Sequence, residues 1–310
     1  MANSTMLFVR DFRGYTGGHQ KVFDYFCHAS AYEGLSPKIH ITPGSLRDES
    51  NPWRRAGIAE ASPNAADCYF VAGLDWRILD NAGIDLTGGR VINLLQGLRH
   101  ASPKDPRFSF LGRPAIRLCV SEEVSDAVRA TGAANGPVIT VPIGIEQSAL
   151  LPLWSAAKRT DVFIAGLKNV PIARQIERAL RRNRLSIDLS ATPIPRDEFT
   201  ARLAAAKVAV LLPEATEGFF LPPLESMLVG TAVIVPDCIG NRGLCRDGAT
   251  CLAPPYDAAE LTAAARWLIG EVPTRHRLIE EGRRHAARYA LSTERKRFHD
   301  VLREALRQWQ

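Results

Sequence analysis

The sequence predicts an α/β protein made of two halves, each a parallel sheet covered by helices. Three observations predict it. Ten short apolar runs, each of strand length, alternate with helix-length amphipathic stretches along the whole chain. The runs are continuous rather than alternating, the pattern of strands buried on both faces by crossover helices. The length of 310 residues, 46% hydrophobic and 23% charged, suits two domains with large cores and excludes disorder as the main state.

In chain order, strands are predicted near Leu7–Val9, Ile39–Ile41, Cys68–Val71, Val91–Leu95, Ile116–Val120 and Val138–Val141 in the first half. In the second half they fall near Val162–Ile164, Leu185–Leu189, Val208–Leu212 and Ala232–Val235. Helical periodicity covers His19–Tyr32, Ile172–Arg182 and Ala258–Ile269, and Thr293–Trp309 forms a long amphipathic closing helix. The Pro- and Ala-containing stretch Leu150–Arg159 is the expected boundary. It gives an N-terminal domain 1–153, a second domain 154–290, and a last helix 291–310 returning to the first.

No run approaches the roughly 20 apolar residues that span a bilayer, and Met1–Asp11 lacks the pattern of a signal peptide. Six scattered cysteines in so long a chain fit a reduced, cytoplasmic setting, with at most peripheral contact at the inner face of a membrane. The net charge of +6 comes from residues 151–310, which hold 24 Lys/Arg against 18 Asp/Glu, while residues 1–150 balance at 15 of each. That placement suits an anionic ligand of the second half, such as a phosphate, better than a nucleic-acid surface. Solvated helix faces account for the charge equally well. Cys238, Cys245 and Cys251 lack zinc-site spacing, so no metal site is expected.

The most informative stretch runs from Pro213 to Pro236 as strand, loop, helix, turn, strand. Glu217 and Gly218 lie on the loop at a strand's carboxyl end, where open α/β sheets bind ligands. Pro222 and Pro223 suit a helix's first turn, and Gly230 suits its C-cap. The amides of Gly218, Phe219, Phe220 and Leu221 then sit at a helix N-terminus, ready for a phosphate anion. Glu225, on the helix's first turns, reaches the same ligand from the side.

This stretch resembles the Glu-x7-Glu motif of retaining glycosyltransferases of family 4, which have the GT-B fold of two Rossmann-like domains facing across a cleft. The chain keeps Glu217, Gly218, Phe219, Leu221, Pro222, Glu225, Met227 and Gly230, with Phe220 in place of glycine and Ala232 in place of proline. Weaker similarity covers Arg117–Val124, Pro142–Glu146, the run Asp247–Asp257 with Glu260 and Leu261, and the Gly-rich residues 14–19, where Gly17, Gly18 and His19 lie. The resemblance implies a nucleotide-sugar donor linked to UDP, GDP or dTDP, no further cofactor and no metal, and a saccharide or lipid-linked saccharide acceptor in bacterial surface polysaccharide synthesis. Glu217 would hold the donor sugar's hydroxyls and Glu225 the ribose. No dedicated nucleophile is required if the departing phosphate takes the acceptor's proton on the same face. Oligomeric state is left open.

The family's phosphate-binding Arg and Lys, five apart, are altered here. Gly166-Leu-Lys168-Asn offers Lys168 with no arginine beside it; Arg174 and Arg242 are the substitutes weighed, though Arg174, Arg178, Arg181 and Arg182 also read as one exposed helix face. On the first half, His100 and Gln96 are expected to line the site, and Asp75 and Trp76 are acceptor-side candidates, the Trp ring to stack on a sugar. A capped helix start with a packed Trp explains the last two equally. The competing functions are a nucleotide-sugar epimerase and a non-catalytic nucleotide- or sugar-binding protein of the same fold.

Overall fold

The computed structural model describes residues 4–64, 66–214 and 216–309; Met1, Ala2, Asn3, Ala65, Ala215 and Gln310 lie outside the described residues. The chain divides into two compact units, residues 1–142 with 294–310, and residues 143–293.

In the first unit, β1 (Ser4–Arg10), β2 (Leu35–Ile41), β3 (Cys68–Ala72), β4 (Val91–Leu95), β5 (Ile116–Cys119) and β6 (Val138–Thr140) form one parallel sheet in the order β2-β1-β3-β4-β5-β6. Helices α1 (Gly17–Ser30), α2 (Pro52–Arg55), α3 (Trp76–Asn81) and α4 (Glu122–Ala130) lie in the connections. Side chains alternate between sheet faces along a strand, and here both faces are apolar. Leu7 and Val9 join Tyr69, Val71, Trp76 and Leu79 on one side. Phe8 stacks on Phe70 at 4.5 Å on the other, where Phe26 and Tyr25 of α1 complete an aromatic cluster.

In the second unit, β7 (Thr160–Ala165), β8 (Ile187–Ser190), β9 (Ala206–Leu211) and β10 (Ala232–Ile234) form a parallel sheet in the order β10-β9-β7-β8. The helices are α5 (Val170–Arg182), α6 (Arg196–Ala205), α7 (Leu221–Leu228), α8 (Ala258–Gly270) and α9 (Val272–Ala286). Phe163, Ala209, Leu211 and Val233 pack into one core, while Val162, Ile164, Val208 and Val210 pack into the other. Gly230 follows α7 at φ +73°, the left-handed conformation expected of its C-cap place.

All ten predicted strands are present, shifted by a few residues at their ends. The boundary between units differs from expectation: it falls at 142/143, so the Leu150–Arg159 stretch belongs to the second unit. The reason is packing. Leu150 is buried in that unit's core with Leu153 against it, and Trp154 lies under the Arg283 guanidinium at 4.0 Å. The closing helix α10 (Leu291–Trp309) joins the first unit from Glu294 onward, and its Phe298 packs edge-on against Tyr25 at 4.8 Å. Among the described residues no helix is long and apolar enough to cross a membrane.

Candidate functional site

The strand order of the second unit places neighbours β7 and β9 so that the chain leaves them toward opposite sides of the sheet. Such a reversal opens a crevice at the carboxyl ends of the strands, the usual ligand position in an open α/β sheet. Two charged side chains occupy it. Lys168 follows β7, Glu217 follows β9, and their ammonium and carboxylate groups form a direct ion pair. Glu217 Oε1 also accepts the Glu214 N–H at 2.8 Å, which fixes the carboxylate against its own loop. The Lys168 ammonium lies 4.7 Å from the centre of the Phe220 ring. The aromatic side chain that replaces the motif's glycine thus supplies a π face under the cation, worth roughly 0.5–2 kcal/mol.

Beside this pair is a cavity of about 220 Å³, lined by Lys168, the 190–194 segment after β8, Phe199, Leu212, Phe220 and Pro222 among others. Its lining is mostly apolar, with Ser190, Thr192 and Lys168 as the polar residues, the makeup of a small-molecule site. Gly166 does not line it and acts through packing: a Cβ there would stand 2.3 Å from Ala173 Cβ, so only glycine lets α5 approach the end of β7.

The helix N-terminus is narrower as a donor set than the sequence suggests. Pro222 and Pro223 occupy its first turn and carry no N–H. Phe220 N–H is committed to Asn241 Oδ1 at 2.6 Å, and Asn241 Nδ2 donates back to Phe220 O at 2.6 Å. This reciprocal pair fixes the loop that carries Glu217, and Asn241 is a residue the sequence reading passed over in favour of its neighbour Arg242. Arg242 itself is exposed and held by Asp237 through Nε at 2.9 Å and Nη2 at 2.5 Å. Arg174 lies on the exposed face of α5, paired with Glu177 at 3.3 Å, and the structure does not bring it to the cavity.

Glu225 is buried, 1% exposed, and its carboxylate forms an ion pair with Arg196 at the start of α6, 2.5 Å away. Burial pushes its pKa up, against the lowering effect of Arg196. Arg196 was missed because nothing in its local sequence sets it apart; its role depends on α6 and α7 lying side by side.

The first unit also has a reversal, between β1 and β3. Arg10 at the end of β1 pairs with Asp75 at 2.6 Å, and His19 at the start of α1 lies against the same guanidinium. Gln96, just past β4, donates to Gly18 O at 3.1 Å. Gly17 opens α1, whose N-cap Thr16 accepts the His19 N–H. Two expectations for this unit are corrected. Trp76 is fully buried, stacked on Phe110 with Arg113 over its ring, and has no free face for a sugar. His100 is 5% exposed, and burial together with Arg107 pushes its pKa down to about 3, so it is a neutral interior imidazole with almost no surface for a ligand. Asp75, also buried, accepts the Ala72 N–H at 2.9 Å and does not cap α3.

Two parallel α/β units with these strand orders make up the architecture of the GT-B glycosyltransferases. The chain is similar over 97% of its length to HepE from Anabaena in complex with UDP and glucose, at TM-score 0.72 and 13% identity, covering 99% of that chain. It is similar over 99% of its length to a sucrose-phosphate synthase from Thermosynechococcus elongatus, at TM-score 0.70 and 13% identity, covering 100% of that chain. Residues 190–285, under a third of the chain, match the family model for glycosyl transferases group 1. A curated relative, an MMP α-(1→4)-mannosyltransferase from Mycolicibacterium hassiacum, is 36% identical over 96 residues, which are 29% of this chain and 22% of that protein. The chain therefore matches only about a fifth of the length of that relative.

Proposed function

We propose that this protein is a retaining glycosyltransferase that moves a sugar from a nucleoside-diphosphate donor to a hydroxyl of a saccharide or lipid-linked saccharide, without a resident metal. The observation that carries the reading is the Lys168–Glu217 pair across the β7/β9 reversal, beside a cavity of nucleotide-fragment size. Transfer breaks the bond between the anomeric carbon and the diphosphate oxygen, and negative charge grows on the departing phosphate. Lys168 takes that charge; an oriented donor of this kind is worth roughly 10²–10³ in rate. Donor binding exchanges partners: the diphosphate replaces Glu217 at Lys168, and the freed carboxylate accepts hydroxyls of the donor sugar. The departing phosphate takes the acceptor's proton on the same face, which gives retention without a protein nucleophile. The 190–194 segment and Phe199 form the walls for the base. UDP-linked sugars are the first to test, since HepE was solved with UDP and glucose.

The test is nucleoside-diphosphate release from UDP-, GDP- and dTDP-sugars, with saccharide acceptors, with and without a chelator. Glu217→Gln is expected to keep the fold and nucleotide affinity while turnover falls by at least about a hundredfold, the scale of one lost transition-state contact. Wild-type turnover in that variant overturns the assignment. Binding of UDP with no release from any donor makes the chain a nucleotide-binding protein instead, and loss of turnover on chelation removes the metal-free part.

A further inference from the structure

The β1/β3 reversal of the first unit holds a second charged pair whose chemistry differs from that of Lys168 and Glu217. Arg10 donates through Nη2 at 2.9 Å and Nε at 3.3 Å to one atom, His19 Nδ1. A guanidinium has only donors, so Nδ1 must present its lone pair, and the imidazole proton resides on Nε2. We propose that Arg10, clamped by Asp75, is a positioning residue that fixes His19 as the Nε2–H tautomer and so presents a neutral hydrogen-bond donor to an uncharged sugar oxygen. The sugar rests on the glycosyl-transfer reading; the tautomer does not.

The clamp is rigid by construction. Arg10 Nη1 bonds Asp75 Oδ2 at 2.6 Å and Ala72 O at 3.4 Å, while Asp75 is itself anchored by the Ala72 N–H; the two side chains are 11% and 6% exposed. The His19 ring lies edge-on to Phe12 at 4.9 Å. At position 18 a Cβ would stand 2.6 Å from Gln96 Oε1, so glycine lets the Gln96 side chain lie close against the start of α1. His19 Nε2 has no protein partner among the described residues. The charges around it cancel locally, Arg10 with Asp75 and Arg13 with Asp11, so a phosphate gains no net attraction here. Burial and Arg10 hold the His19 pKa down to about 4, against the raising effect of Asp11, and the ring stays neutral through the physiological range.

The test is long-range proton–nitrogen NMR on histidine-labelled protein, with His19→Gln to assign the signal. The expected result is a single Nε2–H tautomer, unchanged from pH 8 to about 5, and in Arg10→Met a mixed tautomer with the pKa returning toward the ordinary histidine value near 6.5. A wild-type Nδ1–H tautomer, a protonated ring at pH 7, or an unchanged tautomer in folded Arg10→Met overturns the positioning role. Should Arg10→Met not fold, the wild-type tautomer and titration decide. Glucose is expected to move the Nε2 signal as strongly as glucose 6-phosphate at equal concentration. A response to the phosphate ester alone, or to neither, overturns the neutral-donor assignment. UDP release is measured separately, so a correct tautomer without transfer sinks the glycosyltransferase reading and leaves the clamp standing.

Discussion

Glu225 shows how a side chain with a legible motif position acquires an environment the motif does not encode. Its carboxylate is enclosed and paired with Arg196, 41% exposed at its side chain. Under the proposed glycosyl-transfer reading, ribose hydroxyls would replace the Arg196 guanidinium as donors to this buried carboxylate. Hydrogen bonds to a charged acceptor contribute about 1.5–3 kcal/mol each, so Glu225→Gln is expected to weaken UDP binding about 10- to 100-fold in titration calorimetry. Unchanged affinity removes Glu225 from the ribose site. The same residue scale explains what the sequence left hidden. Glu217 and Lys168 were readable because a motif or a strand-end glycine marks them. Asn241, Arg196 and Arg10 act through partners 21, 29 and 65 positions away, and no local pattern records such pairings.

At the scale of elements, the strands were legible because the central ones, such as β3, β4 and β9, are near-continuous buried apolar runs, and a run of that kind has one stable place in an α/β unit. The unit boundary was not, because Leu150, Leu153 and Trp154 have the composition of a linker and the contacts of a core. The return of α10 is secured by a buried polar cluster as well as by Phe298. Lys21 and His28 on one face of α1 both reach Glu294, with Lys21 Nζ 2.9 Å from Oε2 and His28 Nε2 3.1 Å from Oε1, and Asp24 adds a further 2.8 Å contact to Lys21. Burial would depress the Lys21 pKa, yet Glu294 and Asp24 raise it overall. Removing one member leaves the buried cluster with an unbalanced charge, which costs up to about 3–5 kcal/mol, whereas replacing both members of a pair with apolar groups of similar volume is close to neutral. Lys21→Met and Glu294→Leu are each expected to lower stability in urea unfolding by that amount, and the double variant by less than either. Additive losses would mean that the two groups act independently.

At the scale of the molecule, the two units share one plan. Each is a parallel sheet with a single reversal of strand order, and each has an ion pair across that reversal, Arg10 with Asp75 in the first and Lys168 with Glu217 in the second. Burial separates the two pairs: the first is nearly enclosed, while in the second the Lys168 side chain is 34% exposed. Each unit also has its own apolar cores, which makes two unfolding events the physical expectation for calorimetry. A nucleotide that binds only the native second unit stabilises that unit by RT ln(1 + [L]/Kd), about 2.7 kcal/mol at a hundredfold excess over Kd. Adding UDP is therefore expected to raise one of two transitions by several degrees and leave the other in place, and Lys168→Met is expected to abolish the rise. A rise shared equally by both transitions would place nucleotide contacts in the first unit too. No rise, with two clear transitions, would take UDP out of the cavity beside Lys168.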